Sequence, residues 1–167
     1  MSAQARAMAV IQATLDSAGL EITLPRDNVV AFAVPGEHKL ATPCQFVVGD
    51  HAVAVHAFVC RNPDENHETV YRWLLSRNLK FYGVAFGLDH NADIYLNGRL
   101  ALDAVTETEV DRLLGSVLAY ADESFDTLLE LGFATSIRKE WKWRRSRGEP
   151  TGNLDAFRSW LERDAEQ

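Results

Sequence analysis

Apolar side chains recur at Ala7, Ile11, Leu15 and Ala18, the spacing of an amphipathic helix over residues 2–18, and Gly19 is a natural stop. Leu20 to Asp27 reads as a connector or short strand. The period then changes to two. Val30, Phe32 and Val34 share a face, and Pro35-Gly36 marks a turn. Leu40 to Val48 is a second strand with Pro43 suited to an edge or bulge, Gly49-Asp50 is a tight turn, and His51 to Cys60 is a third strand. Connections this short make an antiparallel meander, because parallel crossovers need a dozen residues or more.

Asn62-Pro63-Asp64-Glu65 predicts a helix start, with a capping side chain, a proline in the first turn and a carboxylate near the positive end of the dipole. Val70, Tyr71, Trp73, Leu74 and Leu75 form a broad apolar stripe behind it, ending near Asn78. Phe81 to Leu88 and Ala92 to Leu96 are strands joined at Asp89-His90-Asn91. Asn97-Gly98 is a turn dipeptide through which the second strand can also continue. Thr106-Glu107-Thr108-Glu109 is a capping box. The apolar positions from Val110 to Leu129 then predict a helix over Glu107–Leu131, roughly 37 Å long, which Gly132 ends. Ser136 to Arg147 forms another helix or an extension. After a linker at 149–152, Leu154, Phe157, Trp160 and Leu161 make a last short stripe, too short to stand alone, that docks on its own domain or on a partner. The order is helix, three strands, helix, two strands, long helix and a helical appendage. This is an α+β chain with an antiparallel sheet.

The 167 residues suit one domain. Cys44 and Cys60 are too few for a disulfide framework and lack a metal or redox spacing, which places the chain in the cytoplasm. The longest apolar run, Ala52 to Val59, is interrupted by His56, and the N-terminal apolar run is too short for a signal peptide or a membrane span. No membrane partner is expected. The net charge of −7 opposes wholesale binding to nucleic acid.

Candidate chemistry is sparse. His51 and His56 point to opposite faces of their strand. His56 and Cys60 share a face, but about 13 Å of extended strand separates them, too far to hold one ion. His38, His67 and His90 add no paired spacing. Asp89-His90-Asn91-Ala92-Asp93 imitates the opening of a calcium loop, but Ile94 and Leu100 stand where that loop needs Gly and Glu. No catalytic motif, metal set or cofactor signature follows, and a non-enzymatic role is expected; an enzyme would need a site assembled from distant residues.

One segment departs from the acidic average. Residues 138–147 carry six bases and one acid, a local +5 against −12 for the rest. Trp141 and Trp143 lie among these cations. Three readings fit: the rings pack inward under solvated bases, the segment docks an acidic protein or a second copy, or it stacks on single-stranded nucleic acid as a regulator would.

Several stretches resemble the YbjN-domain family of bacterial sensory-transduction regulators, which shares the type III secretion chaperone-like fold. They are Phe58-Val59-Cys60-Arg61-Asn62-Pro63, Val70 to Asn78, Tyr82-Gly83-Val84-Ala85-Phe86, Asp93-Ile94-Tyr95-Leu96 and Leu100 to Leu114. The resemblance implies a domain over 1–133, with 134–167 as a basic-aromatic helical extension. It also implies a homodimer that binds a polypeptide client. Val70, Trp73 and Leu74 are the expected contacts at a helix-mediated interface. Arg138, Trp141, Trp143, Arg144 and Arg145 are those expected on the extension.

Overall fold

In the computed structural model, which describes residues 1–167, helix α1 spans Ala3–Ser17. Ser2 caps it by accepting from the Ala5 N–H at 3.0 Å, and Gly19 leaves it at φ +74°. Six strands follow in two groups: β1 (Thr23–Arg26), β2 (Val29–Pro35), β3 (Ala41–Val48) and β4 (Ala52–Cys60), then β5 (Ala85–Leu88) and β6 (Ile94–Ala101). Helix α2 (His67–Asn78) separates the groups, and α3 (Glu107–Arg147) and α4 (Arg158–Ala165) complete the chain. The sheet order is β1-β2-β3-β4-β6-β5, antiparallel throughout. The possible short strand between Leu20 and Asp27 is β1, at one edge. β6 runs straight through Asn97-Gly98, pairing Gly98 with Val55. Glycine is required at that point, since a Cβ on residue 98 would collide with the Gly83 carbonyl.

The strands alternate, with Phe32, Phe46, Val55, Val59, Ile94 and Leu96 on the face that carries the helices. Ile11 and Leu15 of α1, Val70 and Leu74 of α2, and Val110, Val117 and Leu128 of α3 close over them into one core. The opposite face of the sheet carries no helix. A row of paired residues crosses it from Ala31 through Gln45, His56 and Asn97 to Ala85.

Beyond β5, which begins at Ala85 and not at Phe81, two helix boundaries differ from the sequence reading for one reason. α2 begins at His67, four residues beyond Pro63, behind Asn66 in the left-handed region at φ 55°. α3 does not end at Gly132; it bends at Phe133 (φ −139°, ψ 16°) and continues to Arg147. The strap Asn62–Asn66 is committed to that bend. The Asp64 and Glu65 N–H groups donate to the Gly132 carbonyl at 3.0 and 3.2 Å, and Asn66 Nδ2 donates to the Leu131 carbonyl at 3.1 Å. Glu65 in turn accepts from the Thr135 N–H at 2.7 Å and the Thr135 hydroxyl at 3.0 Å. Carbonyls left over by the first half of α3 and a donor opening its second half are thus satisfied together. Residue 132 must be small, because a Cβ there would meet Pro63 Cβ at 2.9 Å. A Schellman turn at Gly148 (φ +67°) ends α3, with Gly148 and Glu149 N–H groups donating to the Arg145 and Arg144 carbonyls.

Candidate functional site

Several of the groups that would carry chemistry are already engaged. Cys44 and Cys60 are buried, and burial pushes both thiols up to about 12. His56 Nδ1 lies 2.6 Å from Asn97 Oδ1 on the open sheet face, and His38 Nδ1 lies 2.8 Å from Asp126 Oδ2. Neither histidine meets a thiol or hydroxyl. Asp89 Oδ1 accepts from the Asn91 and Asp93 N–H groups at 2.9 and 3.0 Å, and Asp93 Oδ1 accepts from the Asn62 N–H at 2.8 Å. The carboxylates of the calcium-loop lookalike therefore organise a turn. No group of three or more His, Cys, Asp and Glu side chains is arranged to hold a metal ion. No helix is long and apolar enough to cross a membrane.

The largest cleft, about 540 Å³, lies between Pro35–His38 and the Leu118–Glu123 stretch of α3. Asp122 on its wall already accepts from the His38 and Lys39 N–H groups at 2.9 and 3.0 Å, so it fastens the loop to the helix.

Helix α2 carries the clearest exposed apolar feature. Val70 and Leu74, expected at an interface, are instead buried in the chain's own core. Trp73 is half-buried, its ring 6.2 Å from that of Phe86 with the Arg77 guanidinium 5.1 Å above it. The stripe is too wide for one sheet to cover, so its far side is left in solvent. Leu75 is 66% exposed, Leu79 89% and Tyr82 56%. Leu75 and Leu79 lie four apart, on one side of the helix. For Leu75 the sequence signal is the width of the stripe, since five apolar residues over positions 70–75 exceed what one buried face accommodates; Leu79 lies beyond the stripe and carries no such signal.

The sheet edges are less accessible. Asn78, the last residue of α2, lays its amide along the outer side of β5. Its Oδ1 accepts from the Phe86 N–H at 2.7 Å, and its Nδ2 donates to the Phe86 carbonyl at 3.2 Å. This side chain occupies the place of a seventh strand. At the other edge, β1 contains Pro25 and its register with β2 shifts between Thr23 and Arg26. Both devices blunt edges against strand addition.

The basic segment divides between inside and outside. Trp141 is buried with Ile137, and Leu154, Phe157 and Leu161 join them in the same core. The terminal stripe thus docks on its own chain. Trp143 is 49% exposed, under the Arg147 guanidinium at 5.2 Å. Arg138 pairs with Asp164 at 2.7 Å and lies 4.9 Å over the Trp160 ring. Arg144 pairs with Glu140 at 2.8 Å and donates to the Pro150 carbonyl. Arg145 stacks on Trp141 without an acidic partner, as Lys139 and Lys142 also lack one. Half of the six bases are therefore matched by acids, in part from the C-terminal tail.

A chain of the ExsC–ExsE complex superposes with a TM-score of 0.58 at 16% identity, covering 77% of this chain and 97% of that one. A chain of the HopA1–SchA chaperone–effector complex gives 0.51 at 8% identity, covering 68% and 88%. The shared fold is that of the secretion chaperones. In sequence, the chain is 58% identical over 124 residues to an uncharacterised protein of Mycobacterium tuberculosis strain H37Rv, covering 74% of this chain and 68% of the relative. A Mycobacterium leprae protein is 55% identical over the same length, covering 74% and 67%. The profile of the YbjN family, described as "Putative bacterial sensory transduction regulator", matches residues 8–130. The chain belongs to the YbjN family.

Proposed function

We infer that this protein is a non-enzymatic, cytoplasmic polypeptide-binding module of chaperone-like or regulatory type, and that it acts as a homodimer. The observation that carries the reading is the exposed Leu75–Leu79 pair, on a fold also seen in a chaperone–effector complex. A solvent-facing apolar patch on an otherwise well-closed core favours an interface. The engaged histidines and the buried thiols agree with a role without covalent chemistry.

In this reading the outer side of α2 forms one interface, and Trp73, packed on Phe86 at the other flank of the helix, lies outside it. A second contact lies on an extension over residues 134–167, appended to a domain over 1–133, where Trp143, Lys142 and Arg145 face outward. Trp141 supports that contact from within, and Arg138 and Arg144 flank it through their ion pairs with Asp164 and Glu140. Blocked edges at β1 and β5 direct a partner toward faces, where side-chain shape and apolarity decide binding. A dimer of this kind should bury about 1,600 Å² or more.

Affinity capture from the native cell, run with wild type, a Leu75→Asp/Leu79→Asp variant and a deletion of 149–167, tests the partner. Wild type should retain a polypeptide in fixed stoichiometry, and the double variant should lose it. An identical set of captured proteins with the double variant would remove α2 from the account.

A further inference from the structure

Where the bent half of α3 leaves the sheet, a groove of about 430 Å³ opens between the end of β4 and the helix, with Phe58, Phe125, Leu129, Phe133 and Ile137 on its walls. Lys39 forms part of its lining and is almost wholly buried. Its ammonium donates to the Ala41 carbonyl at 2.8 Å and the Phe58 carbonyl at 3.2 Å, and lies 3.5 Å from the Thr42 hydroxyl. The rings of Phe58 and Phe125 flank it at 5.7 and 5.8 Å.

Each of the other charged or hydroxyl side chains on the walls has a partner. Arg61 pairs with Asp64 at 2.6 Å, Ser136 donates to Asp64 at 2.8 Å, and Glu140 pairs with Arg144 at 2.8 Å. Lys39 belongs to no ion pair. The ammonium, held by two backbone carbonyls between two rings that line the groove, is a desolvated cation without a counter-charge, a setting that favours an anion. Burial holds the Lys39 ammonium below the usual lysine range, a shift that the neighbouring Cys44 and Cys60 only partly offset.

We propose that this groove binds a small monocarboxylate with an apolar body, its hydrocarbon against Phe125, Leu129 and Phe133 and its carboxylate directed to Lys39. The volume falls within the range of small-molecule sites, and a mostly apolar lining with one placed charge is their usual composition. One negative charge suffices, because a single positive charge is uncompensated. The site is separate from the outer side of α2, so it stands or falls independently of the polypeptide-binding reading.

Isothermal titration of the full chain with decanoate, decanol and decylammonium tests it. Decanoate should bind saturably, and the neutral and cationic analogues about tenfold more weakly or worse. Lys39→Met should abolish the preference for decanoate over decanol. Leu129→Trp fills the groove from the helix side without touching the ammonium, and should weaken decanoate by a similar factor. Absence of saturable decanoate binding, equal affinity for decanol, or decanoate binding unchanged by Leu129→Trp would overturn the proposal. None of these three outcomes needs a Lys39 variant, so the test survives if Lys39→Met fails to fold.

Discussion

Replacing Asn78 by Ala removes a side chain that closes a sheet edge, and its cost can be worked from two bonds. Asn78 satisfies both backbone polar groups of Phe86, at 2.7 and 3.2 Å. Those groups point away from β6, so no other strand can take over. Each bond contributes about 1 kcal/mol net, so losing both costs about 2 kcal/mol if water replaces the amide. Phe86 is itself buried, which pushes the cost upward wherever water cannot reach the freed groups. Urea unfolding of Asn78→Ala should therefore show a loss near 2 kcal/mol. Native-state hydrogen exchange supplies the local test: the Phe86 amide should exchange about 30-fold faster, the factor that 2 kcal/mol represents. The opened edge should also promote concentration-dependent association through β5. Unchanged exchange at Phe86 would refute the assignment of Asn78 as the edge closure.

Three further outcomes follow from named groups. Glu65→Ala removes the acceptor that caps the second half of α3 at Thr135 and should cost about 1 kcal/mol in urea unfolding, with helicity otherwise retained. The Arg61 hydrogen bond, followed by that from Ser136, lowers Asp64 from 3.8 to about 2. Its folded value lies below its unfolded one, so its contribution is complete above about pH 4 and is lost as pH falls toward 2; Asp64→Asn should flatten that part of the stability profile, measured by unfolding at several pH values. At pH 8 the Cys44 and Cys60 thiols should resist alkylation in the native protein and react on unfolding, as intact-mass measurement would show.

Elements whose signals are local were legible from the sequence, and elements set by distant contacts were not. Alternation in β2, β3 and β4 and the capping box before α3 are properties of a few neighbouring residues, and the structure places these elements where the pattern does. Asn62-Pro63 carries an ordinary helix-start signal, yet its neighbours Asp64 and Glu65 bind Gly132 and Thr135, some 70 positions later. Gly132 carries an ordinary stop signal, yet the strap satisfies the bend and the helix resumes. The candidate surface was misjudged for a related reason. Val70 and Leu74 were recognisable as apolar, but which side of a wide stripe the sheet covers depends on where β5 and β6 lie. Leu75 and Leu79 are equally apolar and remain in water. The division of the basic segment into a buried Trp141 and an exposed Trp143 likewise depends on where Leu154, Phe157 and Leu161 dock.

The central claim is that the outer side of α2 makes a polypeptide interface, first with a second copy of the chain. Light scattering at tens of micromolar, comparing wild type with Leu75→Asp/Leu79→Asp, tests it most directly, because both positions are exposed and the substitutions leave the core untouched. A dimeric wild type with a folded, monomeric double variant is the predicted result. A monomeric wild type, or a variant that remains dimeric, would contradict it.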